Sequence, residues 1–245
     1  MRAFAAIFRR EFRAYFTTPL ALVFIVIFLV SIGASTFYLG GFLESGMVSP
    51  APFFVFHPWL YLFFAPAIAM RLWAEERRTG VIELLFTLPV PLWSAVLGKF
   101  FAAWLFLSLT LAFTFPFWIT LNVLGNPDNG VVLAGYLGSL LMAGGYLAIS
   151  ACMSALTRNQ PVAFITGVIV CFAFMVSSLP VVLDLFQGWA PQIILTTIAS
   201  FSLLTHFDDI SKGVIDARDI VFFVSLIVVW LAGSMVVLNM KRTSV

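Results

Sequence analysis

The sequence predicts an all-α integral membrane protein: six transmembrane helices, an N-terminal amphipathic elbow helix, and a short re-entrant or outer segment before the last span. Three observations predict it. Of 245 residues, 62% are apolar and 10% charged, with a mean hydropathy of +1.08; soluble domains run at about 45–50% and about 25%. Six continuous apolar runs reach the roughly 20 residues that cross a hydrocarbon core about 30 Å thick. Lys and Arg, finally, fall unevenly between the connecting segments, as membrane topology requires.

Residues 3–17, AFAAIFRREFRAYFT, are too charged to span. On a helical wheel Phe4, Ile7, Phe8, Phe12, Tyr15 and Phe16 share one face, and Arg2, Arg9, Arg10 and Arg13 the other. An aromatic face opposite a cationic one describes a helix lying in the interface plane of an anionic leaflet. Glu11 interrupts the pattern by falling among the aromatics. Two readings stay open: a positive flank that only sets topology, or an elbow helix that also meets a cytoplasmic partner.

The spans follow at residues 20–42, 53–73, 95–124, 131–156, 162–183 and 220–238. The runs are continuous rather than alternating, so the spans are helices and not barrel strands. Gln187–Ser202 is apolar but interrupted by Gly188 and Pro191, and within residues 184–219 it reads as a re-entrant or surface-lying segment at the outer face. The first run is too long for a signal-peptide core, so no cleavable leader is expected. With the N-terminus inside, eleven of the thirteen Lys and Arg residues lie on the inner side and only Lys212 and Arg218 outside, which places both termini in the cytoplasm. Lys99 and Arg71 sit near the inner ends of their spans, positions from which long side chains snorkel to water. Pro66, Pro116 and Pro180 are expected to kink or end spans two, three and five. Span four carries a run of small residues, including Gly135, Gly138, Gly144 and Gly145, suited to close helix packing. Cys152 and Cys171 lie within spans and read as small core residues; no Cys or His spacing suggests a metal.

The most informative stretch is Ala74–Pro91, AEERRTGVIELLFTLPVP. Glu75, Glu76, Arg77 and Arg78 end span two. Gly80 then suits an N-cap, and Glu83 falls in the first turn, where a carboxylate complements the helix dipole. Pro89 stops the helix after about two turns. Val81, Ile82, Leu84, Leu85, Phe86 and Leu88 are thereby displayed on the wet side of the membrane, a patch that needs a cover: a partner protein, or the chain's own bundle.

The same residues carry a family resemblance. Glu-Glu-Arg-Arg-Thr-Gly at 75–80, followed by Ile-Glu-Leu-Leu at 82–85 and Thr-Leu-Pro at 87–89, resembles the cytoplasmic signature of ABC-2 type permeases of ATP-binding-cassette transporters. The last loop, FSLLTHFDDISKGVIDARDIVFF, resembles that of the gliding-motility-associated permease branch. The resemblance implies a multi-pass protein of the bacterial inner membrane: an elbow helix (Phe8, Arg9, Arg10, Phe12, Arg13), six spans, and a coupling helix at 79–89 that docks on a separate ATP-binding subunit. It assigns that docking to Glu75, Glu76, Arg77, Thr79, Gly80, Glu83, Leu84, Leu85 and Pro89, with Arg158 in the short inner turn as a second contact. It further implies a second permease copy or a paralogue as dimer partner, and an auxiliary membrane-anchored extracytoplasmic protein. His206, Asp208 and Asp209 in the outer loop are candidate contacts for that protein; as metal ligands they are weak, since one loop does not fix a coordination geometry.

No phosphate-cradling loop occurs: Gly98-Lys99 is followed by Phe100, not a hydroxyl residue, and no soluble segment has the length of a nucleotide domain. No cofactor is therefore expected on this chain, and ATP with Mg belongs to the partner ATPase. No nucleic-acid partner is indicated. Mid-span carboxylates of the kind that ion-driven carriers use are missing from the sequence. The first reading is an exporter permease, either passing a substrate or working on an outer partner. The alternatives are an intramembrane enzyme, for which His57 and the His206 loop are the only seeds, and a channel or assembly factor without ATP coupling.

Overall fold

The computed structural model describes residues 2–17, 19–42, 44, 49–87, 90–187 and 191–242. The described residues are helical, without strands. Five helical segments are long and apolar enough to cross a membrane: 21–39, 51–79, 92–124, 129–156 and 217–242. A bent pair further along the chain brings the number to six if it counts as one span.

Helix α1 (Arg2–Phe16) is amphipathic as the wheel predicts, and its aromatic face rests largely on the protein itself. It lies along α6 (Leu92–Ala112), where Tyr15 stacks on Phe106 at 4.8 Å and Phe4 meets Phe101 edge-on at 6.2 Å. Gly98 makes this approach possible: a Cβ there would lie 3.0 Å from the Ile7 side chain. Arg9, Arg10 and Arg13 stay exposed on the far face.

Helix α2 (Leu20–Ala34) runs on into a π turn, Ser35–Leu39, in which Thr36 bonds back to Ile32 O at 2.7 Å. Span two is built from α3 (Ala51–Phe54) and α4 (His57–Thr79). Pro66 is accommodated inside a continuous α4. The helix does not stop at Trp73, as hydropathy suggests, but carries Glu75–Thr79 as its last turn, because backbone hydrogen bonding continues where apolar character ends. In span three the chain breaks after α6, and α7 (Phe115–Leu124) restarts with Pro116 in its first turn, where a missing N–H is tolerated.

Helix α8 (Asn129–Leu156) is the centre of the bundle, opened by an Asp128 cap whose carboxylate accepts from Gly130 N at 2.8 Å. It touches α4, α6 and three helices that follow it: α9 (Gln160–Val176), α12 (Leu203–Ser211) and α13 (Ala217–Arg242). Its small residues serve these contacts within the chain. The Phe54 ring occupies the space where a Cβ on Gly135 would be, at 2.4 Å, and Ile210 does the same at Gly138 at 2.8 Å.

Span five departs from the hydropathy reading. Helix α9 has 17 residues, about 25 Å at 1.5 Å per residue, and stops before Pro180, which opens α10 (Pro180–Gln187). The segment expected at the outer face forms α11 (Gln192–Ser200), followed by α12, with a bend of 60° at residues 201–202. Gly188 lies outside the described residues. Ile193 on α11 is exposed, whereas Leu203, Phe207 and Ile210 on α12 are buried. Cys152 and Cys171 are free and buried in the core.

Candidate functional site

The tail of α4 is held from two sides. On one side α8 ends beside it. Ser154 Oγ accepts hydrogen bonds from the backbone N–H of Trp73 (3.2 Å) and Ala74 (3.1 Å) and donates to Met70 O (3.1 Å). A hydroxyl from a neighbouring helix is thus inserted into the α4 hydrogen-bond ladder. One turn on, Arg77 Nη1 donates to Ala155 O at 2.7 Å, satisfying a carbonyl at the end of α8 that no helical N–H can reach. Arg158, exposed in the turn between α8 and α9, lies close enough for its charge to interact with that of Arg77. The α4 tail and the α8–α9 turn, both singled out in the sequence, therefore meet in space.

On the other side is an ion network. Lys99 of α6 is 3% exposed, with Nζ 2.8 Å from Glu76 Oε1 and 3.3 Å from Glu11 Oε1, and it lies over the Trp73 ring at 5.2 Å. Arg10 adds bonds to Glu11 (2.6 Å) and, more loosely, Glu76 (3.6 Å). Lys99 accordingly does not snorkel to water, as its place near a span end suggests. Pairing inside the protein replaces hydration, and Glu11, the misfit on the aromatic face of α1, supplies half of it. Burial alone would raise the Glu11 carboxyl, but Lys99 and Arg10 outweigh it and hold it below its ordinary value. Arg71 pairs with Glu75 at 3.2 Å on the more exposed side of α4.

Beyond Thr79, whose hydroxyl bonds back to Glu75 O at 3.0 Å, the chain turns at Gly80 with φ of +75°. A glycine is required there, since the left-handed region strains residues with a Cβ. Gly80 ends α4 as its C-cap, where the sequence suggested an N-cap; its carbonyl also accepts from Glu83 N at 3.1 Å and so starts the next helix. That helix, α5 (Val81–Thr87), is seven residues long. Val81 and Glu83 are exposed, whereas Ile82 is 7% exposed and packs into the bundle core. The apolar patch expected on the wet side is therefore covered by its own chain at Ile82. Leu84 and Leu85 lie on α5, with side chains outside the described residues, as are Leu88 and Pro89.

The segment from α11 to α13 separates the residues the sequence grouped. His206 turns inward: Nδ1 lies 2.6 Å from Asp219 Oδ1, Nε2 lies 3.1 Å from Ser200 O, and the ring stacks on Phe222 at 4.0 Å. Both ring nitrogens face acceptors, and the ring is clamped between α11 and the start of α13. Asp208 and Asp209 remain exposed, Asp208 paired with Lys212. Asp219 was the residue missed; in the sequence it is one of several acidic residues ahead of the last span, with nothing local to pair it with His206. No group of three potential metal ligands occurs among the described residues. His57 is wholly buried among Phe53, Phe54 and Tyr61, with Nδ1 3.0 Å from Phe53 O.

The family described as ABC-2 family transporter protein matches residues 51–238, more than three quarters of the chain and everything from α3 to nearly the end of α13. No curated protein matches it. Permeases of this family typically work with an ATP-binding subunit that they do not themselves contain. With several apolar membrane-crossing helices around α8 and that match over most of its length, the chain belongs to the ABC-2 transporter family, as a multi-pass permease component and not the ATPase.

Proposed function

We propose that this permease couples ATP hydrolysis by a separate nucleotide-binding subunit to export, or to mechanical work on an extracytoplasmic partner. Both termini face the cytoplasm of a bacterial inner membrane, and the docking element is the α4 tail with α5. The observation that carries this reading is the way the element is mounted. Helix α5 extends from a left-handed Gly80 with Val81 and Glu83 exposed, while Arg77 ties the preceding turn to α8 and Glu76 ties it to α6 and α1. A push on α5 therefore reaches the central helix and the N-terminal helix together. ATP and Mg belong to the partner; this chain supplies Glu75, Glu83, Leu84, Leu85 and Pro89 toward it, with Arg158 as a neighbouring contact.

In this reading the permease works as a dimer with a second copy or a paralogue, and α1 lies at the inner membrane surface with Arg9, Arg10 and Arg13 toward anionic headgroups. The bent α11–α12 pair forms the re-entrant outer segment. Within the family, the gliding-motility-associated branch is the narrower assignment suggested by the last loop. It directs Asp208 and Asp209, the exposed members of that loop, toward an auxiliary membrane-anchored protein.

The test is co-expression of the permease with a Walker-containing ATPase of this transporter class, followed by co-purification. Glu83→Arg and Leu84→Asp are expected to abolish recovery of the ATPase while leaving the permease inserted. Wild-type recovery in both variants would contradict the docking assignment.

A further inference from the structure

Where α1 turns into α2, the helices α1, α2, α4 and α6 enclose a cavity of about 250 Å³. Its wall changes character along the helices. Glu11, Glu75, Glu76, Arg71 and Lys99 line one end; Ala21, Phe24, Ile68 and Phe106, one to two turns farther into the spans, line the other. A charged mouth over an apolar interior is the profile of an amphiphile site.

The charges say which amphiphile. Three carboxylates (Glu11, Glu75, Glu76) and two cations (Arg71, Lys99) line the mouth, and Arg10, outside the lining, pairs with Glu11 and Glu76, so the charged cluster as a whole is neutral. Within it Lys99 serves Glu11 and Glu76 through one oxygen of each, and Arg10 also turns to those oxygens. Glu76 Oε2 is buried without a hydrogen-bond donor, a costly arrangement that a donor entering the cavity relieves once the carboxylate turns toward it. Arg71 reaches Glu75 through Nε, and its side chain is 42% exposed, with further guanidinium donors on the same fork. A neutral cluster with one carboxylate oxygen short of an N–H and one arginine open to an anion matches a zwitterion that carries an ammonium and a phosphate. The volume suits a headgroup and glycerol, not a whole lipid.

We propose that this cavity binds the headgroup of a phospholipid bearing a primary amine, the ammonium on Glu76 and the phosphate on Arg71, with the start of its acyl chains against Phe24 and Phe106. A quaternary ammonium headgroup has no N–H to give Glu76, and a glycerol headgroup leaves the phosphate charge unbalanced. The site goes beyond the coupling reading; it shares Glu75 with the proposed docking element, but it is measured on the permease alone.

The full-length permease, delipidated in detergent, is offered phosphatidylethanolamine, phosphatidylcholine and phosphatidylglycerol of one acyl composition, and retained lipid is read by native mass spectrometry. Phosphatidylethanolamine is expected to be retained about tenfold over the others, the scale of one charge-assisted hydrogen bond. Glu76→Gln is expected to remove the preference. Since Glu76 also pairs with Lys99 and that variant can fail to fold, Ala67→Trp, which fills the cavity wall without touching a charge, is the second arm and is expected to abolish retention. Equal retention of the three lipids by the unaltered protein, or an unchanged preference in Ala67→Trp, overturns the proposal, whether or not the ATPase docks.

Discussion

Lys99 and Glu76 meet at 2.8 Å between the third and second spans, in a place where only 3% of the lysine side chain reaches solvent. Removing one member of a buried pair leaves the others charged and unmatched, at a cost of about 3–5 kcal/mol. Lys99→Met is therefore expected to lower the melting temperature in detergent sharply. Adding Glu11→Gln and Glu76→Gln to it is expected to restore much of the loss, since the stranded carboxylates go with their partner. A Lys99→Met protein as stable as the unaltered one would show that the network adds nothing to the fold.

The same network sets an acid limit. The Glu11 carboxyl is held below its ordinary value of about 4.5, so its contribution is complete above that pH and is lost as pH falls through the lower folded value. Attachment of α1 to α6 is expected to weaken on acidification below about pH 4.5, read as protease access at Arg9 and Arg13. Glu11→Gln is expected to show looser attachment at neutral pH and to lose that acid step. An acid step of full size in Glu11→Gln would place its origin elsewhere.

Ser154 accepts from two α4 N–H groups inside a continuous helix. Ser154→Ala removes both bonds, at about 0.5–1.5 kcal/mol each. Hydrogen exchange of the Trp73 and Ala74 amides is expected to speed up in this variant while α13 stays protected. Unchanged exchange at those amides would mean that α4 satisfies them unaided.

Gly80 takes a backbone angle that disfavours other residues, so Gly80→Ala is expected to cost about 1–2 kcal/mol and to misdirect α5. Folding of the bundle should survive, with ATPase recovery falling in the co-purification assay. Full recovery would show that the direction of α5 is not set by this turn. The purified permease alone is expected to turn over no ATP; hydrolysis by the lone chain would contradict its assignment as the transport component.

Much of this architecture was legible because bilayer spanning imposes long apolar runs, and the amphipathic wheel of residues 3–17 and the charged-then-apolar stretch at 74–91 stood out against them. What hydropathy could not read was pairing across helices. Lys99 looked like a snorkelling lysine and Glu11 like a flaw, because nothing in either local window shows that the two face each other and Glu76. His206 was grouped with Asp208 and Asp209 by proximity in sequence, yet its partner Asp219 lies thirteen residues on, brought back by the turn into α13. Apolar character carries span five through Pro180, but the helix breaks just ahead of that proline, which marked the span for a kink or an end. Ile82 was counted with a wet patch that a seven-residue helix can turn inward in part.

The most direct test is sided labelling of α5. A single Glu83→Cys in vesicles of known orientation reports cleanly, because Cys152 and Cys171 are buried. Docking of the ATPase on this element requires that a membrane-impermeant maleimide reach the residue only from the cytoplasmic side, and that bound ATPase shield it. Labelling from the exterior, or labelling that is the same with and without the ATPase, would contradict it.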